Sequence, residues 1–410
     1  MSTILKDDVL AFVLAGGRGE RLFPLTEERT KPSVPFGGKY RIIDFALSNL
    51  VNSGVYSIYV LVQYKSQSLI EHIRTSWRKP GVLPKHFITV VPPQMRKDAV
   101  SEWYRGTADA IYHNINLIYD FKPRHVVILG GDHIYRMNIK AMLDYHIRKK
   151  AQCTVAAIPI QANQAYEFGV ADVDKNFQVK KFKEKPALSS DKAVFASMGN
   201  YIFNTDLLID FLNEGARKNT LHDFGQDAIP YLARKKRGVY AYDFSKNKIP
   251  SLGRHEASYY WKDVGSVYSY WQANMDLLGR HPVLDLDNRQ WPIYTSNFDC
   301  PPAYTIGSTI ENSLLCEGVK VYGSTIRNSI LGRSVKIDDG CLIEDSIVMD
   351  FTHIKKTSSI KRSIVDRFNT IPAGTKIGYD SRGDSKKYHL DSSGIVVVKR
   401  GSRNVSYVGL

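Results

Sequence analysis

Leu14-Ala15-Gly16-Gly17-Arg18-Gly19-Glu20-Arg21-Leu22 puts three glycines within four positions, with arginines among them. Glycine lets a backbone turn sharply and bring its N–H groups close to an anion. Arg18 and Arg21 add charge at the same place, and Arg29 and Lys31 follow shortly after. The chemistry such a loop offers is phosphate binding, although a plain tight turn accounts for the glycines equally well. The loop matches neither G-x-x-x-x-G-K-[ST] nor G-x-G-x-x-G.

Two aspartates come next. Asp132, in Gly130-Gly131-Asp132-His133, closes the apolar run Val126–Leu129, and Asp263 ends Tyr260-Trp261-Lys262-Asp263. A carboxylate at the end of a buried strand is costly unless it meets a cation, and two of them around Mg²⁺ with substrate phosphates is a usual arrangement. A helix N-cap serves equally well for Asp132. In Glu184-Lys185-Pro186 the proline stops the preceding strand-like run, leaving Lys185 either facing a phosphate or solvated in a turn. Trp103-Tyr104-Arg105-Gly106-Thr107-Ala108-Asp109-Ala110 brings aromatics and polar groups to a helix start, suited to a base or sugar or simply to capping.

These residues need a frame. Strand-like runs at Val9–Leu14, Ser57–Gln63, Phe87–Val91, His125–Leu129 and Cys153–Ile158 alternate with helical spacing at 44–52, 107–121 and 139–150. The pattern predicts an α/β, Rossmann-like domain with ligands at the carboxyl ends of the strands, where Gly17, Gly106 and Gly131 converge. Past Asp172, strands near 178–182, 194–203, 239–244 and 259–261 and helices near 206–213, 227–234 and 266–278 extend it with a mixed sheet. We therefore divide the chain into a catalytic domain 1–278, a proline-containing linker 279–303 and a tail 304–410.

The tail is repetitive. Ser313, Ser329, Ser346 and Ser363, each followed by Leu or Ile, recur at spacings of 16, 17 and 17 residues. Ile310, Leu315, Val319/Val321, Ile326, Leu331, Val335/Ile337, Leu342 and Val348 supply an apolar position about every six residues. That period specifies a left-handed parallel β-helix over a β-sandwich of short strands.

The chain is 43% hydrophobic and 24% charged, ordinary for a globular protein. Its net charge of +15 attracts anionic partners. No RNP, zinc-finger or basic-zipper pattern accompanies that charge, so nucleic acid is not expected. No run approaches the roughly 18 apolar residues of a membrane span, and the N-terminus carries no secretory pattern. Four scattered cysteines without a CxxC pair fit a cytoplasmic setting.

Taken together, the glycine-loop run, Thr30-Lys31-Pro32 and several longer stretches resemble the sugar-nucleotide pyrophosphorylases, and within them the ADP-glucose-forming branch. The longer stretches are Pro35–Asn49, Trp103–Ala110, Gly131-Asp132-His133-Ile134-Tyr135, Phe182–Pro186, Ala196–Tyr201, His222-Asp223-Phe224-Gly225 and Tyr260–Gly265. The resemblance covers nearly the whole chain. It implies the reaction of ATP with α-glucose 1-phosphate to ADP-glucose and pyrophosphate, for glycogen or other α-glucan synthesis, in a homotetramer regulated by an anionic metabolite. It further implies that Leu14, Ala15, Gly16, Gly17 and Gly19, with Arg18 and Lys31, cradle the triphosphate. Asp132 and Asp263 would hold Mg²⁺, and Gln94, Gly106 and Thr107 would contact the adenine end. Tyr104, Gly169, Glu184, Lys185 and Ser197 match positions for glucose 1-phosphate. Arg29, Arg41, Lys386 and Lys387 match basic effector positions. Glu28 departs from members activated by sugar bisphosphates, which carry a basic residue there.

Three alternatives remain at this stage. One is a pyrophosphorylase for UTP, dTTP or another sugar phosphate. Another is a non-catalytic regulatory paralogue, against which the presence of Arg18, Lys31, Asp132 and Lys185 argues. The third is an acyltransferase tail, for which His353 would be the one histidine available in the coils.

Overall fold

Val9–Ala15 (β1) is apolar throughout, and a strand apolar on both sides must be covered on both. It runs parallel between Ser57–Val62 (β2), itself flanked by Phe87–Val91 (β3), and His125–Gly130 (β4). Val9, Ala11, Val13 and Ala15 enter one core and Leu10 and Phe12 the other, so the two faces of β1 organise two hydrophobic layers. The computed structural model describes residues 8–77, 85–93, 104–187, 193–218, 220, 222–297 and 299–402. Gln94 and Trp103 therefore lie outside the described residues.

Past β4 the sheet becomes mixed. Ala193–Asn204 pairs antiparallel with β4, with Cys153–Gln161 and with Gly169–Val173, and Val179–Glu184 and Val239–Asp243 at the edges complete nine strands. The helical run expected over 107–121 is two helices, Thr107–His113 and Ile115–Phe121. They meet at buried Asn114, whose amide donates to the Ala110 carbonyl (2.8 Å) and the Tyr104 hydroxyl (3.1 Å), so a side chain competes with the helical ladder there. The helix Gln67–Ser76 has no counterpart in the sequence reading; it buries fully only Leu69 and Ile73, which makes for a weak apolar pattern. Among the described residues, no helix is long and apolar enough to cross a membrane.

A two-stranded ribbon matters more than its size suggests. Ile134–Tyr135 pairs antiparallel with Trp261–Lys262, with Ile134 opposite Lys262. That register carries Asp263 back beside Asp132 and His133 across about 130 residues of chain.

The described residues of 279–303 contain no helix or strand but are packed. Leu284, Trp291 and Ile293 are buried. The Tyr294 amide donates to Ser48 Oγ (2.8 Å), and Asn52 donates to the Pro292 carbonyl (2.9 Å). The segment is a strap over the helix Ile42–Asn52.

From Tyr304 onward the chain winds into three sheets of five, five and six strands, parallel except for the edge strand His389–Leu390, which pairs antiparallel with Val396–Val398: a left-handed parallel β-helix. The recurring serines form a ladder: the backbone N–H of Ser329, Ser346 and Ser363 each donates to the hydroxyl of the serine one coil earlier, at 3.1, 3.1 and 3.2 Å. Neighbouring residues then divide the work. Leu331, Val348 and Val365 fill the prism, while Ile330, Ile347 and Ile364 face outward into a core shared with Leu22, Phe36, Phe45 and Tyr270 of the first domain. One expected inward position moves by a residue: Ile343, not Leu342, is fully buried, in register with Ile326 and Ile360.

Candidate active site

A cavity of about 1070 Å³ opens at the carboxyl ends of β1 and β4. Leu14, Gly16, Gly17, Arg18, Gly19, Lys31, Tyr104, Gly106, Thr107, Asp132, Gly169, Glu184, Ser197 and Asp263 all line it. Ala15 is buried within β1 and does not. Lys185 is exposed outside the lining, its backbone N–H held by the Phe168 carbonyl (2.9 Å).

The phosphate-side geometry starts at Gly19, which has φ +65° and where a Cβ would stand 2.8 Å from Lys31 Cβ. Only glycine satisfies both constraints, and the loop therefore lies directly on the Lys31 segment. The Thr26 hydroxyl ties the two by donating to the Gly19 carbonyl (2.9 Å). Arg18 is largely exposed, 3.6 Å from Glu20 and over the Tyr64 ring, free to turn into the cavity.

Lys31 is not free. Its ammonium donates to Asp132 Oδ2 (3.0 Å), Asp263 Oδ1 (2.9 Å) and the Asp263 carbonyl (2.6 Å). Arg21 lies 3.6 Å from Asp263 Oδ2, and His133 Nε2 lies 3.5 and 3.4 Å from the two carboxylates. Burial works to raise the Asp132 pKa, but Lys31 and His133 together overcome it and the carboxyl is held below its ordinary value. Asp263 is lowered in the same way, burial being overcome by His133 and Lys31. Burial works to lower the Lys31 pKa, and the two aspartates override it upward. One atom each from Asp132, His133 and Asp263 lie within 4.8 Å of one another. Two ionised carboxylates with this convergence fit a divalent cation.

At the sugar side, Glu184 points between glycines. A Cβ at Gly169 would come within 2.6 Å of its carboxylate, and one at Gly225 within 2.8 Å. Burial, then the neighbouring Asp223, raises the Glu184 pKa. Asp223 accepts from the Thr107 hydroxyl (2.9 Å) and from Gly225 N–H (2.8 Å). Gln63, His133, Asp223 and Trp261 line the cavity without having been singled out from sequence. For His133 the signal was adjacency to Asp132, and for Asp223 the run His222–Gly225.

Of the basic residues expected at an effector site, Arg29 and Arg41 sit away from the cavity, between the domains. Arg29 is 1% exposed and paired with Asp366, and also donates to the Leu25 carbonyl (2.9 Å). Arg41 and Arg367 approach Asp350 at 3.7 and 3.3 Å, and Arg400 pairs with Glu28 at 3.1 Å. Burial, then Arg41, pulls the Arg367 pKa down to about 9. Lys386 and Lys387 are exposed.

Residues 10–280 match the family described as Nucleotidyl transferase, and residues 302–398 match GlmU-like, C-terminal hexapeptide. A glucose-1-phosphate adenylyltransferase of Thermodesulfovibrio yellowstonii is 48% identical over 96% of this chain and 97% of its own. Proteins of the same name from Thermus thermophilus and Geobacter metallireducens are 45% and 44% identical, over 98% and 96% of this chain and 100% and 98% of theirs. Enzymes of this kind generally use a divalent metal. By fold, by site and by these full-length relatives, the chain belongs to the glucose-1-phosphate adenylyltransferases, within the nucleotidyl transferase family.

Proposed function

We propose that the cavity joins ATP to α-glucose 1-phosphate, giving ADP-glucose and pyrophosphate. The observation that carries this is the convergence, in one cavity, of a glycine loop, a carboxylate pair and a second acidic pair suited to hydroxyls. A phosphate oxygen of the sugar attacks the α-phosphorus in line, and the bond to the bridging oxygen breaks with its electrons leaving on pyrophosphate. Such a transfer needs positioning and charge stabilisation rather than a covalent nucleophile. Backbone N–H groups of 16–19 and Arg18 receive the phosphates. Asp132 and Asp263 are the residues to hold Mg²⁺, which when bound neutralises phosphate oxygens. Glu184 and Asp223 accept from sugar hydroxyls, and Tyr104 and Ser197 complete that wall. Lys185, at the mouth, reaches the sugar phosphate.

Pyrophosphate release with ATP, UTP, dTTP and GTP, each with glucose 1-phosphate and with or without Mg²⁺, tests the assignment. A preference for ATP is expected. Silence under all conditions overturns it, and a preference for another nucleotide corrects the base.

The inter-domain arginines support an anionic effector bound there. Arg41 Nη1 is buried without a hydrogen-bond partner, and Lys386 and Lys387 add exposed charge. Glu28, in neutralising Arg400, separates this site from relatives with a basic residue at that position. A metabolite screen on Arg41→Ala and Lys386→Ala tests it, with activation surviving in both as the contrary result. A homotetramer, tested by light scattering, and a reducing cytoplasm, consistent with four free thiols, complete the proposal.

A further inference from the structure

We infer that Lys31 is a built-in counter-cation of the carboxylate pair, displaced by the divalent metal and handed to the phosphates of the nucleotide. The inference rests on the metal site proposed at Asp132 and Asp263.

A lysine ammonium has three N–H donors. All three are spent here, on Asp132 Oδ2, Asp263 Oδ1 and the Asp263 carbonyl, and the side chain is only 7% exposed. The carboxylates themselves are more open, at 36% and 24%, and border the cavity. A divalent cation entering from the cavity would bind the same two carboxylates at about 2.1 Å, of which Lys31 holds Oδ2 of Asp132 and Oδ1 of Asp263. An ammonium about 3 Å from those carboxylates would then face a doubly charged ion that draws on the same negative charge. The two cations therefore compete for the pair.

The stem determines where the ammonium goes. Lys31 Cβ lies directly under Gly19, so the four-carbon chain pivots beneath the glycine loop. The nearest anionic partner for a released ammonium is a phosphate cradled by that loop. Metal alone must compete with Lys31, whereas metal with nucleotide offers the ammonium a new partner. The two ligands therefore strengthen each other, and by the same factor in both directions.

The test is Mn²⁺ binding followed by electron paramagnetic resonance on the full chain, with and without α,β-methylene ATP, for wild type, Lys31→Met and Lys31→Gln. Without nucleotide, both variants should bind Mn²⁺ about tenfold more tightly than wild type, within the usual range of such couplings. The further tightening caused by the nucleotide should shrink by the same factor. Unchanged or weaker metal binding in the variants means that Lys31 only orients the carboxylates, and overturns the exchange while leaving the metal site standing. Mn²⁺ binding that survives Asp132→Asn, or is absent from wild type even with nucleotide, overturns the metal site itself. Melting curves establish that each variant is folded, and Gln preserves a polar group should Met fail to fold.

Discussion

Arg29 of the catalytic domain and Asp366 of the β-helix form an ion pair in which neither side chain is more than 2% exposed. It lies two residues from Lys31 and beside the apolar core shared by the domains. Removing one partner of such a pair leaves an uncompensated buried charge. Asp366→Asn should lower stability by about 3 kcal/mol in denaturant unfolding, and Arg29→Met with Asp366→Leu by clearly less. A loss in the double variant equal to the sum of the losses in the two single variants would show that the pair is not coupled.

Gly19 and Gly17 separate backbone strain from ligand approach. Gly19→Ala places a side chain at φ +65° and 2.8 Å from Lys31, and should cost about 1–2 kcal/mol together with most of kcat. A Cβ at Gly17 meets nothing within 4 Å. Gly17→Ala should melt like wild type yet raise the KM for ATP, if phosphates approach that backbone. Steady-state kinetics beside thermal melts distinguishes the two.

His146 makes stability depend on pH. It is buried between Thr154 Oγ1 (2.8 Å) and Asn204 Oδ1 (3.0 Å), with His125 beside it. Burial, opposed by the Asn204 contact and joined by His125, lowers its pKa to about 4. The unfolded chain binds that proton near pH 6.5. Between these values the unfolded state takes up a proton that the folded state refuses. The stabilisation is therefore whole above about pH 6.5 and is lost as pH falls toward 4, by up to about 3 kcal/mol. His146→Gln should flatten the slope of unfolding free energy across that window, as urea titrations at several pH values would reveal.

Lys185 and Glu184 divide the recognition of the sugar phosphate. Lys185→Gln should raise the KM for glucose 1-phosphate far more than that for ATP, because it removes charge at the cavity mouth without touching its lining. An unchanged KM rejects the assignment. Glu184→Gln, which keeps the shape but weakens the acceptor, should lower kcat/KM for the sugar by about tenfold or more.

Local chemistry was legible in sequence wherever spacing is short. The apolar run at Val9, the three glycines, the serine period and the turn around Asp132 are each defined within a few residues by backbone freedom and apolar periodicity, and with them came the α/β domain, the β-helix and most of the cavity lining. What could not be read depends on pairings across long separations. The resemblance implied that Asp132 and Asp263 share a cation, but the antiparallel register of Ile134 with Lys262 that brings them together is a tertiary fact. The docking of the β-helix buries Arg29, which matches a basic position near an effector cleft, against Asp366. Lys31, expected on the triphosphate, is saturated by two aspartates 101 and 232 positions away. Residue type decides what charge a side chain brings. Which opposite charge it meets first, and whether water reaches the pair, is decided only by the packed chain.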